Sequence, residues 1–170
     1  VGYGELGSAV ASAATALGLK TLISDRPGSS PRTGRLAFHE VVKRADYLSL
    51  HCPLTETNQR MINVEVLSAM KPSAFLINTA RGGLVDSEAL IAALTSGNIA
   101  GAALDVLDVE PATKDEPLIT DIDNLLVTPH NAWGAIESRN RLIEQMRDAG
   151  FEAASGWTGT HRSGHVLDWV

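Results

Sequence analysis

The stretch that decides the fold is residues 1–25, which read VGYGELGSAVASAATALGLKTLISD. The glycine-rich turn Gly2–Gly7 is followed by a run of small residues that predicts a helix, closed by Gly18 in a C-cap position. The run KTLISD then predicts a short strand that ends at Asp25. A turn of this kind normally follows a strand of about five residues, whereas only Val1 precedes this one. We therefore expect the chain to be a piece of a longer protein.

Strand and helix signals continue to alternate along the rest of the chain. Four apolar runs predict strands, namely DYLSL, AFLINTA, IAGAALDV and NLLVTPH, and helices are predicted around residues 37–44, 63–70 and 86–94 and from residue 136 onward. Asp86 is placed as an N-cap, with Val85 and Leu90 as a hydrophobic staple. Short apolar strands between helices indicate a parallel sheet covered on both faces. The prediction is a doubly wound α/β fold, truncated at its first strand, over residues 1–150.

Composition narrows the classes of partner. The 170-residue chain has a net charge of −6 and no run of Lys or Arg, so nucleic acid and anionic membranes are poor candidates. The single cysteine, Cys52, excludes an intrachain disulfide and fits a reducing compartment, so a cytoplasmic location is expected. No apolar stretch reaches the length needed to span a bilayer.

Side chains capable of chemistry follow the apolar runs directly. In an open parallel sheet, ligands bind outside the carboxyl ends of the strands. The residues found at these places are Gly2, Gly4, Gly7, Asp25, His51, Cys52, Thr79, Ala80, Arg81, Asp105, Glu110 and His130. We therefore expect a single ligand site along this edge of the sheet.

The glycine turn and Asp25 together fit a dinucleotide-binding fingerprint. Gly2 permits a tight turn, Gly4 lets the backbone approach a pyrophosphate, and Gly7 lets the helix pack closely on the strand. Glycines alone would fit an ordinary turn equally well. Asp25, 18 residues after Gly7, has the spacing of an acid that bonds a ribose diol, which favours NAD over NADP. Arg26 is a counter-signal, because a neighbouring guanidinium can accommodate a 2′-phosphate.

Arg81, Glu110 and His130 combine into a site for a small acid. Each alone could be a solvated loop residue. Together, a guanidinium can clamp a carboxylate and an imidazole can move a proton. The carboxylate would then orient the imidazole and favour its protonated form.

Two histidine motifs could suggest a metal, but neither has enough partners. His51 and Cys52 are adjacent and have no further ligands nearby, so we expect them to line an adenine pocket. His161 and His165 have an H-x₃-H spacing without Cys or acidic partners. No metal site is predicted.

Five motifs resemble the successive signatures of the D-isomer-specific 2-hydroxyacid dehydrogenases. They are GYGELG, HCPLTETNQRMIN, FLINTARGGLVD, AALDVLDVEP and VTPHNAW, and the resemblance runs from Val1 to about residue 150. The ending TPHNAW is most similar to the glycerate dehydrogenase (hydroxypyruvate reductase) branch. The resemblance implies an NAD-dependent homodimer whose separate substrate domain is missing here. Residues 151–170 would form a tail that returns toward that domain.

The resemblance also implies residue roles. Arg81 would bind the substrate carboxylate and carbonyl, and Glu110 would pair with the catalytic His130. The implied cofactor contacts are the glycine turn with Glu5 and Leu6, then Asp25, His51, Cys52, Pro53, Thr79, Ala80, Arg81, Asp105, His130, Asn131, Ala132 and Trp133.

Three functions are compatible with these motifs. The first is hydride transfer between nicotinamide and C2 of a 2-hydroxy or 2-keto acid, with glycerate, hydroxypyruvate or glyoxylate as candidate substrates. The second is formate oxidation, against which Glu110 argues, because related formate enzymes replace that residue. The third is an NAD-sensing transcriptional corepressor, which shares the fold and the three catalytic-type residues. A peptide-binding substrate domain and a disordered tail would distinguish the corepressor.

Overall fold

The computed structural model describes residues 1–114, 116–119 and 121–154, with the backbone alone for residues 133 and 148–154. The predicted tail is therefore described only to residue 154, and both His161 and His165 lie outside the described residues. The chain divides into two compact units, Val1–Pro129 and His130–Val170.

A parallel sheet organises the first unit. Its four strands lie in the order β1-β2-β3-β4. Leu48 of β1 pairs with Leu76 of β2, which in turn pairs with Ala102 of β3. The strands confirm the four predicted apolar runs but are shorter, and they span Tyr47–Leu50, Phe75–Asn78, Gly101–Leu104 and Leu125–Val127.

Four α-helices of the first unit follow the predicted signals, and they span Glu5–Ala16 (α1), Phe38–Arg44 (α2), Val64–Ala69 (α3) and Ser87–Thr95 (α4). The Asp86 carboxylate accepts a hydrogen bond from the Ala89 N–H at 3.0 Å, which confirms the predicted cap of α4. Helix α1 begins at Glu5, three residues before the predicted start, and directly follows the glycine turn. Gly18, with φ +85°, follows its last turn.

One face of the sheet forms the hydrophobic core. Leu48, Leu50 and Leu76 are almost completely buried, together with side chains of α2, α3 and α4. Side chains that alternate to the other face are exposed, among them Tyr47 at 59% and Leu126 at 62%. Within this unit, the predicted helical cover is therefore found on one face.

The run predicted as a strand at residues 20–25 forms only an isolated bridge between Ser24 and Leu36. A strand needs partners along its length. Val1, which precedes the glycine turn, bonds to β1 and the residue after it: its amino group donates to the Ser49 carbonyl oxygen at 2.7 Å, and the His51 N–H donates to the Val1 carbonyl oxygen at 2.7 Å. These bonds place the glycine turn at the carboxyl end of β1.

The second unit, which starts at His130, contains a short 3₁₀ helix, Ala132–Gly134, followed by α5, Ile136–Ala154. The long final helix predicted from Ile136 is thus confirmed. Its apolar side chains Ile143 and Met146 are 63% and 57% exposed. Among the described residues, no helix combines the length and the apolar character needed to cross a membrane.

Candidate functional site

The glycine turn is shaped by close packing on two sides and open space on the third. A Cβ atom at Gly2 would lie 2.6 Å from the carbonyl carbon of His51, and one at Gly7 would lie 2.1 Å from the Gly2 oxygen. Neither position can carry a side chain without movement of the backbone. Gly4, by contrast, has no heavy atom within 4 Å of its Cβ position. A bound group can therefore approach the backbone at Gly4 and the start of α1.

A cavity of about 240 Å³ opens beside this turn. Gly2 and Gly4 form part of its wall, and the predicted segment His51, Cys52 and Pro53 forms another part. Burial lowers the pKa of His51 and raises the pKa of the Cys52 thiol, so both side chains favour the neutral form. The structure thus brings the glycine turn and the predicted adenine-pocket segment together. Among the described residues, no three His, Cys, Asp or Glu side chains cluster as metal ligands.

Asp25 is covered by two arginines of the following loop. Its carboxylate accepts hydrogen bonds from the Arg32 backbone N–H at 2.6 Å and from Arg32 Nε at 2.8 Å. Arg35 Nη1 donates to the same carboxylate at 3.2 Å. The hydrogen bonds from Arg32 are the main reason that the pKa of Asp25 falls to about 2. Its side chain is only 2% exposed. The sequence reasoning missed this arrangement, because Arg32 and Arg35 lie in an irregular loop with no periodic pattern.

The turn after β2 carries Arg81 and is fixed by a buried asparagine. Asn78 is fully buried; its Nδ2 donates to the Arg81 carbonyl oxygen at 2.8 Å, and its Oδ1 accepts from the Ala80 N–H at 3.0 Å. The Arg81 guanidinium donates through Nη1 to the Ala80 carbonyl oxygen at 2.7 Å. Asn78 is a further site-building residue that the sequence reasoning missed. The sequence feature that could have identified Asn78 is a polar amide side chain at the end of the apolar run AFLIN.

A second, smaller cavity of about 110 Å³ lies at the ends of β2, β3 and β4. Thr79, Asp105 and Thr128 contribute to its wall. The Thr128 hydroxyl and the Asp105 carboxylate form a hydrogen bond. Two of the predicted cofactor residues, Thr79 and Asp105, therefore line the same cavity. This cavity is separate from the one beside the glycine turn.

The loop after β3 contains Glu110 and packs directly on the Arg81 turn. Glu110 Oε1 accepts a hydrogen bond from the Leu107 N–H at 2.8 Å. A Cβ atom at Gly82, next to Arg81, would lie 2.0 Å from the Leu107 carbonyl carbon and oxygen. The absence of a side chain at Gly82 is what permits this contact. The structure therefore brings the Arg81 turn and the Glu110 loop together.

His130 is the first residue of the second unit. Its φ of +47° falls in the left-handed region, which costs a non-glycine residue about 1–3 kcal/mol. Asn131 and Ala132 follow in a tight turn, where the Gly134 N–H donates to the Asn131 carbonyl oxygen at 2.7 Å. The backbone of Trp133 belongs to this turn, and its side chain lies outside the described part of the chain. Because the chain divides between Pro129 and His130, the pairing of His130 with Glu110 stays a prediction.

A parallel sheet with a glycine turn, an open cavity and reactive loops at its carboxyl edge defines the class of dinucleotide-binding domains. The chain belongs to the D-isomer-specific 2-hydroxyacid dehydrogenases, since residues 1–132 match the model of that family's NAD-binding domain. NAD is the cofactor of this domain family, and the open flank of Gly4 beside the cavity fits a bound pyrophosphate.

Individual relatives agree with this assignment. Over 150 residues the chain is 45% identical to a glycerate dehydrogenase of Methylorubrum extorquens, covering 87% of this chain and 46% of that protein. It is 39% identical over 153 residues to a glyoxylate reductase of Korarchaeum cryptofilum, with coverage of 87% and 46%. The NAD-complexed D-isomer-specific 2-hydroxyacid dehydrogenase of Lactobacillus delbrueckii ssp. bulgaricus has a TM-score of 0.78 and 34% identity, with coverage of 94% and 53%. The chain thus spans about half the length of these proteins.

Proposed function

We propose that this chain is the cofactor-binding half of a two-domain enzyme that transfers a hydride between NAD and C2 of a D-2-hydroxy acid or its 2-keto acid. Glycerate with hydroxypyruvate, or glyoxylate, is the proposed substrate class, which the names of the relatives support. The observation that carries the proposal is the contact between the Arg81 turn and the Glu110 loop, made through Gly82 and Leu107. This contact holds the loops that carry a guanidinium and a carboxylate against each other at one edge of the sheet.

The proposed mechanism gives each side chain one task. Arg81 binds the substrate carboxylate through two parallel N–H donors, which fixes the position of C2. His130 donates a proton to the carbonyl oxygen during reduction and removes the hydroxyl proton during oxidation. Glu110 orients the imidazole and stabilises its protonated form. NAD, when bound, supplies the hydride chemistry.

The cofactor contacts proposed for this chain follow the two cavities and the strand ends. The glycine turn with Glu5 and Leu6 would receive the pyrophosphate at the start of α1. His51, Cys52 and Pro53 would line the adenine, and Asp25 would lie near the adenosine ribose. The residues proposed for the nicotinamide side are Thr79, Ala80, Arg81, Asp105, His130, Asn131, Ala132 and Trp133.

The test of the reaction uses the protein expressed from its complete coding sequence. We expect NADH-dependent reduction of hydroxypyruvate or glyoxylate in a steady-state absorbance assay. Arg81→Lys should raise the KM for the acid by roughly tenfold or more, because an ammonium cannot reproduce the bidentate fork. The control is Arg44→Lys, on the outer face of α2 in an ion pair with Glu40, which should leave KM and kcat unchanged. A protein that binds NADH but reduces no 2-keto acid would contradict the proposal.

The alternatives predict different results in the same experiments. Formate oxidation would appear as NAD reduction by formate, and Glu110 argues against it. A corepressor would bind NADH and a peptide with negligible turnover; the dehydrogenase and reductase names of the relatives favour the enzyme.

We further propose a homodimer in the cytoplasm. Light scattering coupled to size-exclusion chromatography of the complete protein would test the dimer.

A further inference from the structure

The loop that follows Asp25 presents arginines to the larger cavity. Arg26, Arg32 and Arg35 all form part of the cavity wall, together with Gly2 and Gly4 of the glycine turn. Asp25 lies behind Arg32 and Arg35, with its side chain 2% exposed. A ligand that enters next to the glycine turn therefore meets guanidinium groups before it meets the carboxylate.

The charges in this cluster do not cancel. Three guanidiniums accompany one carboxylate, so the cluster as a whole is positive. Arg32 donates hydrogen bonds to the Asp25 carboxylate through Nε and Nη2. A guanidinium carries five N–H donors, so Arg32 keeps donors for another acceptor, and its side chain is 64% exposed.

Arg35 connects the cluster to the glycine turn. Its guanidinium carbon lies 5.7 Å from the centroid of the Tyr3 ring, within the range of a cation–π contact. Its Nη1 donates to Asp25 at 3.2 Å. Arg35 is thus supported from two sides and lies between the expected pyrophosphate loop and the expected ribose acid.

We propose that Arg32, together with Arg26 and Arg35, binds the 2′-phosphate of NADPH, so that this chain accepts NADPH as well as NADH. The inference rests on the proposed function and extends its cofactor site. An aspartate at this position disfavours a 2′-phosphate through like-charge repulsion, and guanidiniums paired with its carboxylate offset that repulsion. Here two arginines occupy the carboxylate of Asp25, and arginine is the side chain best suited to bind phosphate oxygens in pairs.

Three nucleotides that differ only in one phosphate test the proposal. Isothermal titration of the 170-residue chain would compare 5′-AMP, 2′,5′-ADP and 3′,5′-ADP, with NADH as a reference. We expect 2′,5′-ADP to bind at least as tightly as 5′-AMP and about tenfold or more tightly than 3′,5′-ADP, because charge-assisted hydrogen bonds form only at the 2′ position.

Variants separate the contributing charges. Arg32→Gln should lower the affinity ratio of 2′,5′-ADP to 5′-AMP by about tenfold. Asp25→Asn should raise the same ratio, because it removes the negative charge and keeps the side-chain shape. Arg44→Gln removes a surface arginine of α2 that does not belong to the cavity wall and should leave the ratio unchanged. Melting temperatures of all variants would show whether each one is folded.

Each contrary outcome has a distinct meaning. If 2′,5′-ADP binds more weakly than 5′-AMP, the charge of Asp25 dominates and the inference is overturned, while the cofactor site stands. Equal affinities for 2′,5′-ADP and 3′,5′-ADP would show only a general attraction for anions and would also overturn it. If neither NADH nor any of the nucleotides binds, the proposed function falls together with the inference.

Discussion

Gly82 joins the two loops that carry Arg81 and Glu110, and replacing it with alanine should force them apart. A Cβ atom at Gly82 would lie 2.0 Å from the carbonyl carbon and oxygen of Leu107 and 2.4 Å from the nitrogen of Asp108. Ordinary contacts begin near 3.4 Å, so the two backbones must separate by the difference between 3.4 and 2.0 Å, about 1.4 Å. Both obstructing groups are backbone, so no flexible side chain can move aside instead.

The expected effect of Gly82→Ala is large on the reaction and moderate on stability. A misplacement of about 1 Å in an active site can cost roughly 10²-fold in rate, so kcat/KM for the 2-keto acid should fall by about 100-fold. Overpacking costs about 1–3 kcal/mol. At roughly 2–4 °C per kcal/mol for a protein of this size, the melting temperature should fall by about 2–12 °C. NADH affinity should fall much less than kcat/KM, because the glycine turn and the cavity beside it, proposed for the adenosine and pyrophosphate, are formed by other segments.

The assay is steady-state reduction of hydroxypyruvate by the protein expressed from its complete coding sequence, alongside a thermal melt and a fluorescence titration with NADH. The control variant is Gly18→Ala. Gly18 has φ +85° and open space around its Cβ position, and it follows the end of α1 opposite the glycine turn. This control should lose stability and keep its kcat/KM. If Gly82→Ala lost stability but kept kcat/KM within threefold, the contact with Leu107 would not position the reactive loops.

Three other predictions test separate parts of the site. The Asp25 carboxylate, with its pKa lowered from 3.8 to about 2, contributes stability that is present above pH 3.8 and is lost as the pH falls through about 2. Asp25→Asn should therefore lose less stability than the unsubstituted chain across that range in urea unfolding, and an equal loss would refute the ion pair. His130→Ala should lower kcat by roughly 10²–10⁴, and Glu110→Gln should lower kcat less, because the imidazole remains and loses only the carboxylate that orients it; an unchanged kcat in Glu110→Gln would remove Glu110 from the proton pair. The 170-residue chain alone should bind NADH weakly by fluorescence and reduce hydroxypyruvate negligibly, whereas robust turnover would contradict the two-domain proposal.

Local sequence signals were sufficient for most elements of the fold. The apolar runs predicted all four strands, and Asp86 predicted the start of α4, because each signal acts within a few residues. Residues 20–25 were harder to predict. Their composition is typical of a strand, but a strand also needs a neighbour, and the only bridge of this run joins Ser24 to Leu36. Pairing depends on distant segments that a local pattern does not contain.

The site was predictable to the extent that chemistry follows strand ends. The structure places Arg81 and Asp105 just beyond the ends of β2 and β3, and the Glu110 loop against the Arg81 turn, as that rule predicts. The pairing of Asp25 with Arg32 was not, because it depends on how an irregular loop of ten residues folds back. The importance of Gly82 was also hidden, since it comes from a contact with a segment 25 positions away along the chain.

Asn78 shows how the fold and the proposed chemistry depend on one residue. A leucine of similar size could fill the same buried position at the end of β2. It would, however, remove the partners of the Arg81 carbonyl oxygen and the Ala80 N–H, which Asn78 bonds at 2.8 and 3.0 Å. A buried polar group left without its partner costs about 1–3 kcal/mol, so the turn would rearrange to find other partners. The asparagine is therefore required by the turn rather than by the core. With Asn78 bonding one side of the turn and Gly82 packed on the other, the backbone direction at Arg81 is set by residues that never need to touch a substrate.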